Sequence, residues 1–503
     1  MKTLFRNATV VNADGSRIAD VLVCGEKISA VSEKIVCPDA EEIDCSGLLL
    51  FPGAIDAHTH FDLDVAGTTT ADDFASGSRA ALRGGTTAVI DFACPDKGES
   101  LRHGLELWHK KADGRSACDY GFHMTIDDWN EGIRAELPEM LEAGVTSFKM
   151  YLTYPAMMIG DQAVFEALCA LKQLGAIAGV HCENAGIIDA LIAARKAAGE
   201  LSPASHPSCR PALTEAEAVG RLLKMAAIAD TPVVCVHTTC AAALAEIAAA
   251  RARGQRVYVE TCPQYLLLED RYYGLPDFEG ARYVCAPPLR KPKDQAALWR
   301  ALAAGEIQTV NTDHCSFTLA QKAMGRGDFT KIPGGLPGVE TRFALLYSYG
   351  VAAGRITKEK MAELLSANNA KLYGLWGRKG AIQAGFDADL VLYDPKGEHA
   401  IHAAQLITNV DYNPYEGFPL NGCIRQVWLR GRRVVDEGKL QEERGGQYLR
   451  RGLPRLSRRT ACAIYSPTSP KKGQSGGKDT KNAGFSAENP AFFRFVLAVC
   501  KRL

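Results

Sequence analysis

The sequence predicts an α/β protein: a (β/α)8, TIM-like barrel with a small β-sandwich domain built from the N- and C-terminal segments. The first observation is that apolar, β-branched runs alternate with Ala- and Leu-rich helical stretches through the middle of the chain. The second is that short strand-and-turn segments lie at both ends. The third is length, because 503 residues exceed one simple core and indicate a large domain with a smaller one.

The N-terminal segment consists of short predicted strands, residues 8–12 and 20–23, each followed by a tight turn. Similar turn-rich, strand-like sequence returns at residues 380–394 and 426–431. Each segment is too small to fold alone. We therefore expect the two to pair into one sandwich.

The barrel prediction rests on apolar runs at residues 87–92, 145–149, 176–181, 232–237, 257–260 and 307–313. Strands that alternate with helices over ~300 residues are typically parallel and buried on both faces. About eight such units match a barrel of ~250 residues with insertions. A doubly wound open sheet is the alternative, but no Gly-x-Gly-x-x-Gly turn follows an early strand.

These patterns divide the chain into four parts. We expect residues 1–50 to form the N-terminal part of the sandwich, 51–375 the barrel, and 376–454 the C-terminal part of the sandwich. Residues 455–503 contain ten Lys or Arg and two acidic residues in a Ser-, Gly- and Lys-rich context. This composition predicts a basic, disordered tail.

Composition excludes several classes of partner. Apolar residues make up 47%, charged residues 23%, and the formal net charge is zero, so nothing favours nucleic acid or an anionic membrane. No stretch approaches the roughly 18 consecutive apolar residues of a membrane helix. The sixteen cysteines lie in apolar runs without a secretory signal. They indicate reduced core thiols and a cytoplasmic protein.

The strongest chemical signal is Asp56-Ala57-His58-Thr59-His60, at the end of an apolar approach. Residues two apart on a strand point to the same face, so His58 and His60 direct two imidazoles at one point, as a divalent metal requires. Alone the pair is a weak signal, because such pairs also occur at surfaces and in packing. Its position at the end of a buried strand strengthens the prediction.

Three further residues end predicted apolar strands: His181, His237 and Asp313. The strand ends of a parallel barrel open on one face, where barrel enzymes place their active sites. A hydrogen-bonded core histidine would explain any one of these residues. Four histidines and an aspartate that meet on one face predict a metal-binding active site.

Lys149 ends the predicted strand 145–148. Two dications would strongly repel a free ammonium at this place. An amine of lowered pKa can instead take up carbon dioxide and become a carbamate, a bridging carboxylate with two oxygen ligands. The alternative is a lysine that snorkels to solvent from the strand end.

In this order and spacing, the six residues resemble the amidohydrolase superfamily, and within it the hydantoinases and dihydropyrimidinases. The sequence looks most similar to bacterial D-hydantoinases of the phenylhydantoinase kind, over roughly residues 1–453. The supporting motifs are FKMYLTY at 148–154, ETCPQYL at 260–266, PPLR at 287–290, TDHC at 312–315 and LPGVE at 336–340.

The resemblance implies hydrolytic ring opening of cyclic amides: 5-substituted hydantoins to N-carbamoyl amino acids, dihydropyrimidines to N-carbamoyl β-amino acids, or both. It implies a homotetramer whose subunits each hold two divalent metals, zinc in the first place and manganese or cobalt as alternatives. A hydroxide and carboxylated Lys149 (N6-carboxylysine) would bridge the two ions. The other implied ligands are His58, His60 and Asp313 for the first ion and His181 and His237 for the second.

The resemblance also assigns catalytic roles. Asp313 would accept the hydroxide proton and deliver it to the leaving ring nitrogen, as general base and then acid. Tyr154 would donate its hydroxyl to the oxyanion of the tetrahedral intermediate. The family holds the cyclic imide largely through main-chain groups at two positions, which in this chain are Ala286 and Gly334. The family usually has Ser at the first position and often has Asn at the second. These two departures concern ring affinity and specificity.

We expect substrate selectivity to depend on the loops after the histidine pair and after Lys149. Leu63, Val65 and Leu152 on these loops predict an apolar, uncharged wall for the substituent at ring carbon 5.

Other functions fit the sequence less well. Dihydroorotases usually follow the histidine pair with an arginine, where this chain has Phe61-Asp62, and the acidic loop of allantoinases has no match. Non-catalytic, dihydropyrimidinase-like scaffold proteins share this fold but generally lack several metal ligands. All six are present in this chain.

Overall fold

The computed structural model describes residues 2–441 and 444–456. The strands in these ranges are β1 (Lys2–Asn12), β2 (Gly15–Cys24), β3 (Lys27–Ser32), β4 (Glu41–Asp44), β5 (Leu49–Pro52), β6 (Ala54–Thr59), β7 (Asp64–Val65), β8 (Thr68–Thr69), β9 (Thr86–Ala93), β10 (Asp119–Thr125), β11 (Ser147–Tyr151), β12 (Ile177–His181), β13 (Val233–Cys235), β14 (Val257–Thr261), β15 (Thr309–Val310), β16 (Leu390–Ala400), β17 (Pro419–Leu429), β18 (Arg432–Asp436) and β19 (Lys439–Leu440).

The α-helices in the same ranges are α1 (Phe74–Arg83), α2 (Leu101–Ala112), α3 (Glu131–Glu142), α4 (Asp161–Leu174), α5 (Ala185–Ala197), α6 (His206–Cys209), α7 (Ala212–Ala229), α8 (Ala241–Ala252), α9 (Pro263–Leu267), α10 (Pro292–Ala304), α11 (Leu319–Lys322), α12 (Arg342–Leu346), α13 (Lys358–Ala362) and α14 (Asn368–Leu372). Segments of π-helix continue α12 and α13.

The central sheet is a parallel (β/α)8 arrangement, as the alternating pattern predicts. Within the described residues its strand order is β6-β9-β10-β11-β12-β13-β14-β15, which is also the chain order. The two edge strands meet, because the His60 N–H donates to the His314 carbonyl at 2.8 Å and the His314 N–H to the His58 carbonyl at 3.3 Å. The carboxyl ends of all eight strands therefore face one mouth.

The sequence of α4 illustrates how the outer helices form. Val164, Leu168 and Leu171 are buried, and their spacing of four and then three places them on one helix face. Gly175 ends the helix in a left-handed conformation, with φ 69°, which glycine adopts without a steric penalty. The buried stripe packs against the sheet, and the polar face remains outside.

The two ends of the chain form one mixed sheet, in the order β19-β18-β17-β16-β5-β1-β2-β3, with β4 beside β1. N-terminal β5 pairs with C-terminal β16 in antiparallel register. The rings of Phe5 and Trp428 lie 5.2 Å apart at their centroids, although three strand spacings in a flat sheet amount to ~14 Å. The sheet therefore folds over its own apolar core, as expected for a sandwich.

The predicted basic tail lies outside the described residues, apart from Arg455 and Leu456. Within the part of the chain that is described, no helix is long and apolar enough to cross a membrane. The fourteen described cysteines form no disulfide with one another, and most of them are buried.

Candidate active site

A cavity of about 390 Å³ opens at the mouth of the barrel. The six predicted metal ligands all line it: His58, His60, Lys149, His181, His237 and Asp313. The four histidines and the lysine are buried, and the Asp313 side chain is 14% exposed. The barrel thus brings together six side chains from strands or strand ends that are up to 255 residues apart (58 to 313) in the sequence.

The strands that carry these residues differ in their bounds from the sequence prediction. Lys149 lies in the middle of β11, not at its end, and its side chain is buried, so it does not snorkel to solvent. The strands before His237 and Asp313 are shorter than expected and end at Cys235 and Val310. His237 and Asp313 adopt φ values of 36° and 52°, which are incompatible with a strand. Such strained backbone is often found at functional sites.

His58, His60 and Asp313 form a compact group. The Oδ1 atom of Asp313 lies 3.2 Å from His58 Nε2 and 3.1 Å from His60 Nε2. Four ligands at ~2.05 Å around a tetrahedral metal are separated by ~3.3 Å. The spacing of the three atoms therefore fits one metal ion.

Glu260, on β14, holds this group in position. Its Oε1 atom accepts hydrogen bonds from His58 Nδ1 at 2.6 Å and from the His237 N–H at 3.0 Å, and its Oε2 atom accepts one from Asn311 at 2.6 Å. Because the carboxylate can only accept, Nδ1 of His58 carries the hydrogen and Nε2 is left for a metal. Glu260 is 0% exposed, so its charge acts with little screening.

His181 has a similar support. Its Nε2 lies 2.8 Å from Glu183 Oε2, which also accepts a hydrogen bond from Arg210 at 2.5 Å. Only Nδ1 of His181 remains for a second partner. The ring of His237 is 4.5 Å from that of His181, between centroids. These two imidazoles are the candidate ligands of a second ion.

Lys149 lies between the two groups and packs against aromatic rings. Its Nζ is 4.8 Å from the centre of Phe92 and 5.1 Å from that of Tyr151. In the parallel register, Lys149 lies opposite Gly179 on β12. Burial lowers the pKa of the Lys149 amine, against the attraction of Asp313 and Glu260.

The pKa shifts favour neutral imidazoles at three of the histidines and a negative charge on Asp313. Burial lowers the pKa of His60 to about 4 and also lowers the pKa values of His181 and His237. Neutral imidazoles are the form that binds a metal. Burial opposes ionisation of Asp313, but the His58 charge and the bonds from both histidines hold its pKa well below the ordinary value.

The pKa of His58 is raised, whereas the pKa values of the other three histidines are lowered. Burial opposes the charged imidazole, but Glu260 and Asp313 together outweigh it and raise the pKa of His58 to about 9. A positive charge at His58, between Glu260 and Asp313, is therefore favoured by the surrounding residues. A metal cation bound to His58 Nε2 would supply such a charge.

The residues fit a divalent metal site on independent grounds. Among the described residues, His237 Nδ1 is a buried ring nitrogen without a hydrogen-bond partner, and His58 Nε2 meets only the Asp313 carboxylate, at 3.2 Å. Buried polar atoms of this kind are costly unless a ligand satisfies them. Imidazole and carboxylate are ligands that zinc and related ions prefer.

Most of the predicted substrate-contacting residues also line the cavity: Tyr154, Ala286, Gly334, Leu63 and Val65. Leu63 and Val65 belong to the loop that forms the β7–β8 hairpin. Leu152 is the exception and lines a separate, smaller cavity with Met158 and Ile159. The physical reason is the strand alternation: Tyr151 points into the site, so the next side chain points away.

Tyr154 is in a strained left-handed conformation, with φ 70°. Its ring lies 5.1 Å from that of His181, and the Arg210 guanidinium lies 5.5 Å from the Tyr154 ring centre. Burial raises the pKa of Tyr154, so its hydroxyl stays protonated and can donate.

The supporting residues Glu183, Arg210 and Glu260 were not predicted from the sequence. The predicted cavity wall was uncharged, whereas Arg210 lines the cavity. The buried ion pair with Glu183 largely neutralises this guanidinium. One available signal was a glutamate inside the apolar strand Val257–Thr261, where a buried acid needs a partner.

Comparisons with known proteins agree with this geometry. Residues 49–434 match the model of the amidohydrolase family. The chain is 43% identical over 455 residues to a D-hydantoinase of Geobacillus stearothermophilus, covering 90% of this chain and 97% of the relative. It is 42% identical over 461 residues to a D-phenylhydantoinase of Escherichia coli (strain SE11), covering 90% and 98%.

Solved structures give the same result. The crystal structure of dihydropyrimidinase from Brevibacillus agri NCHU1002 superposes with a TM-score of 0.89 at 43% identity, covering 90% of this chain and 99% of that one. An L-hydantoinase (dihydropyrimidinase) from Arthrobacter aurescens gives 0.81 at 29% identity, covering 89% and 99%. Because the family model spans residues 49–434 and relatives of 42–43% identity cover 90% of the chain, this protein belongs to the amidohydrolase family.

Proposed function

We propose that this protein opens cyclic amide rings by hydrolysis: 5-substituted hydantoins to N-carbamoyl amino acids, and dihydropyrimidines to N-carbamoyl β-amino acids. The observation that carries the proposal is the convergence of four histidines, a buried lysine and an aspartate on the floor of one cavity. The names of the similar proteins, D-hydantoinase and dihydropyrimidinase, support the substrate class.

The proposed ligands form two groups. His58, His60 and Asp313 would hold one divalent ion, zinc in the first place, and His181 and His237 the other. Lys149 as a carbamate would be shared between them. Burial favours the neutral amine of Lys149, which is the form that reacts with carbon dioxide. When bound, two such ions lower the pKa of a water between them and polarise the substrate carbonyl.

Asp313 is proposed to move the proton. Its Oδ1 faces His58 and His60, which leaves Oδ2 for a proton taken from the attacking water. The same oxygen would then deliver that proton to the ring nitrogen as the amide bond breaks. Asp313 has a strained φ of 52° beyond the end of β15, and its side chain lines the cavity.

Tyr154 is proposed to stabilise the oxyanion. Tyr154 lines the cavity with a protonated hydroxyl, and the Arg210 guanidinium lies 5.5 Å from the centre of its ring. A donor fixed in a buried cavity stabilises developing negative charge more than it would in water. The main chain at Ala286 and Gly334 is proposed to hold the ring.

Specificity is proposed to follow from the apolar wall at Leu63 and Val65. Burial of apolar substrate surface contributes roughly 25 cal/mol per Å². A phenyl or isobutyl group should gain one or two kcal/mol over hydrogen, or about ten- to thirty-fold in kcat/KM. The Asp64 side chain is 77% exposed and does not turn inward. An acidic substituent would lose hydration without a free cationic partner, since Arg210 is engaged by Glu183.

A turnover panel tests the function. Zinc-loaded protein is given hydantoin, 5-phenyl-, 5-isobutyl- and 5-carboxyethylhydantoin, and dihydrouracil. We expect the phenyl or isobutyl compound to exceed hydantoin and the acidic compound to be poor. A preference for dihydrouracil or the acidic compound would contradict the specificity argument alone. No turnover of any compound by protein that holds two metals would contradict the function and favour a scaffold role.

We also propose the homotetramer, the cytoplasmic location and the domain division that the sequence analysis predicts. The described cysteines form no disulfide with one another, which supports a reducing compartment. Light scattering of the purified chain gives the oligomeric state, and a monomeric mass would contradict it.

A further inference from the structure

Lys322 is a buried lysine that the proposed chemistry does not use. It is the last residue of the short helix α11 and is 1% exposed. Its Nζ donates to three backbone carbonyls, those of Val284 at 2.9 Å, Pro333 at 2.7 Å and Gly335 at 2.8 Å. An ammonium has three N–H donors and no acceptor. Three carbonyls therefore match it one for one.

The three carbonyls belong to two segments on the cavity wall. Val284 and Ala286 of one segment line it, and so do Gly334 and Gly335 of the other. Apart from Lys322, one backbone hydrogen bond joins them directly, from the Gly335 N–H to the Val284 carbonyl at 3.0 Å.

The surroundings of Lys322 leave it little freedom. Its Nζ lies 5.5 Å from the centre of the Phe317 ring. A Cβ on Gly335 would come within 2.3 Å of the Cys315 carbonyl, so this segment is already packed closely. His206 holds the opposite segment through a hydrogen bond from Nε2 to the Cys285 carbonyl at 2.8 Å. Contacts with Cys315 and His206 therefore restrain the two segments, and Lys322 is hydrogen-bonded to both of them.

We propose that Lys322 is a positioning residue for substrate binding: its ammonium clamps segments 284–286 and 333–335 at the separation that a cyclic imide ring needs. The inference rests on the proposed function, because these segments supply the main-chain groups at Ala286 and Gly334. The three hydrogen bonds of the Lys322 ammonium all go to backbone carbonyls, and none of these carbonyls belongs to a proposed metal ligand. The clamp should therefore affect ring affinity and leave the chemistry of the metal site unchanged.

The first test is Lys322→Met, which keeps the length of the side chain and removes all three donors. With 5-phenylhydantoin we expect KM to rise by roughly tenfold or more, while kcat changes less than about threefold. Metal content, measured by elemental analysis, should equal that of the unaltered protein. Lys331→Met is the matched control, because Lys331 lies nine residues after Lys322 and its side chain is exposed. The KM of this control variant should equal that of the unaltered protein.

An unchanged KM in Lys322→Met would overturn the inference, and so would a joint loss of kcat and metal, which indicates a general structural role. If Lys322→Met does not fold, Lys322→Gln replaces it in the test, because the glutamine amide retains two N–H donors. The KM of Lys322→Gln should rise above that of the unaltered protein by less than tenfold. Calorimetric titration with glutarimide separates this inference from the proposed function, because it measures ring binding without turnover. Weaker binding to the variant than to Lys331→Met supports the clamp even if no substrate is hydrolysed. Equal binding, or none to either protein, overturns it.

Discussion

The replacement Glu260→Gln tests the buried support of the metal site without removing a proposed ligand. The Glu260 carboxylate accepts from His58 and the His237 N–H on one oxygen and from Asn311 on the other. A glutamine has one acceptor oxygen, so its NH2 must face either the first two donors or the third. At least one buried donor then loses its acceptor, at about 1–3 kcal/mol.

The effect on metal binding can be stated separately. Loss of a partner that orients a metal-binding histidine typically weakens metal affinity by about 10–100-fold, which is about 1.4–2.7 kcal/mol. We expect Glu260→Gln to bind zinc within this range of weakening, because His58 loses the negative charge and the fixed hydrogen that leave Nε2 for the metal. The side chain keeps nearly the same volume, so the fold should survive.

The assay is competition for zinc with a chelator of known affinity, alongside thermal unfolding of the metal-free protein. Glu398→Gln is the control, since Glu398 is exposed on β16, and it should match the unaltered protein in both measurements. Zinc affinity of Glu260→Gln within twofold of the control would refute the reasoning. Loss of affinity together with complete unfolding would mean that the residue supports the fold and not the site in particular.

Four further outcomes are expected. Purified protein should carry about two divalent metals per chain by elemental analysis; no transition metal, with no activity restored by zinc, manganese or cobalt, would contradict the six-ligand site. Lys149→Ala should lose metal and activity, and short carboxylic acids should partly restore both by replacing the carbamate; full activity without them would exclude a bridging role. Asp313→Asn should keep much of the fold by circular dichroism and lose hydrolysis by several powers of ten, since both proton transfers use that carboxylate; near-normal turnover would exclude that use. Tyr154→Phe should lower kcat by roughly 10²–10³ with little change in KM, as expected for a lost oxyanion donor, and an unchanged kcat would remove Tyr154 from the mechanism.

Much of the site was predictable because metal chemistry restricts residue identity. His58 lies on β6, His60 directly follows its last residue Thr59, and His181 ends β12, so these candidate ligands follow from residue types and a period of two. The strand bounds were less predictable. Lys149 lies inside β11, and Asp313 lies beyond β15 in a left-handed conformation, because tertiary contacts and not local preference decide where a strand ends.

The sequence by itself determined the fold class, the family and the candidate metal ligands. These depend on hydrophobic periodicity and ligand chemistry, both of which are local properties. Only the tertiary structure decided which buried side chains support the ligands. Glu260 meets His58 across 202 positions, and Lys322 joins carbonyls on segments 284 and 335. It also decided that Leu152 faces away from the cavity. A hydrogen bond between distant segments depends on where packing places both partners, and no local pattern records that position.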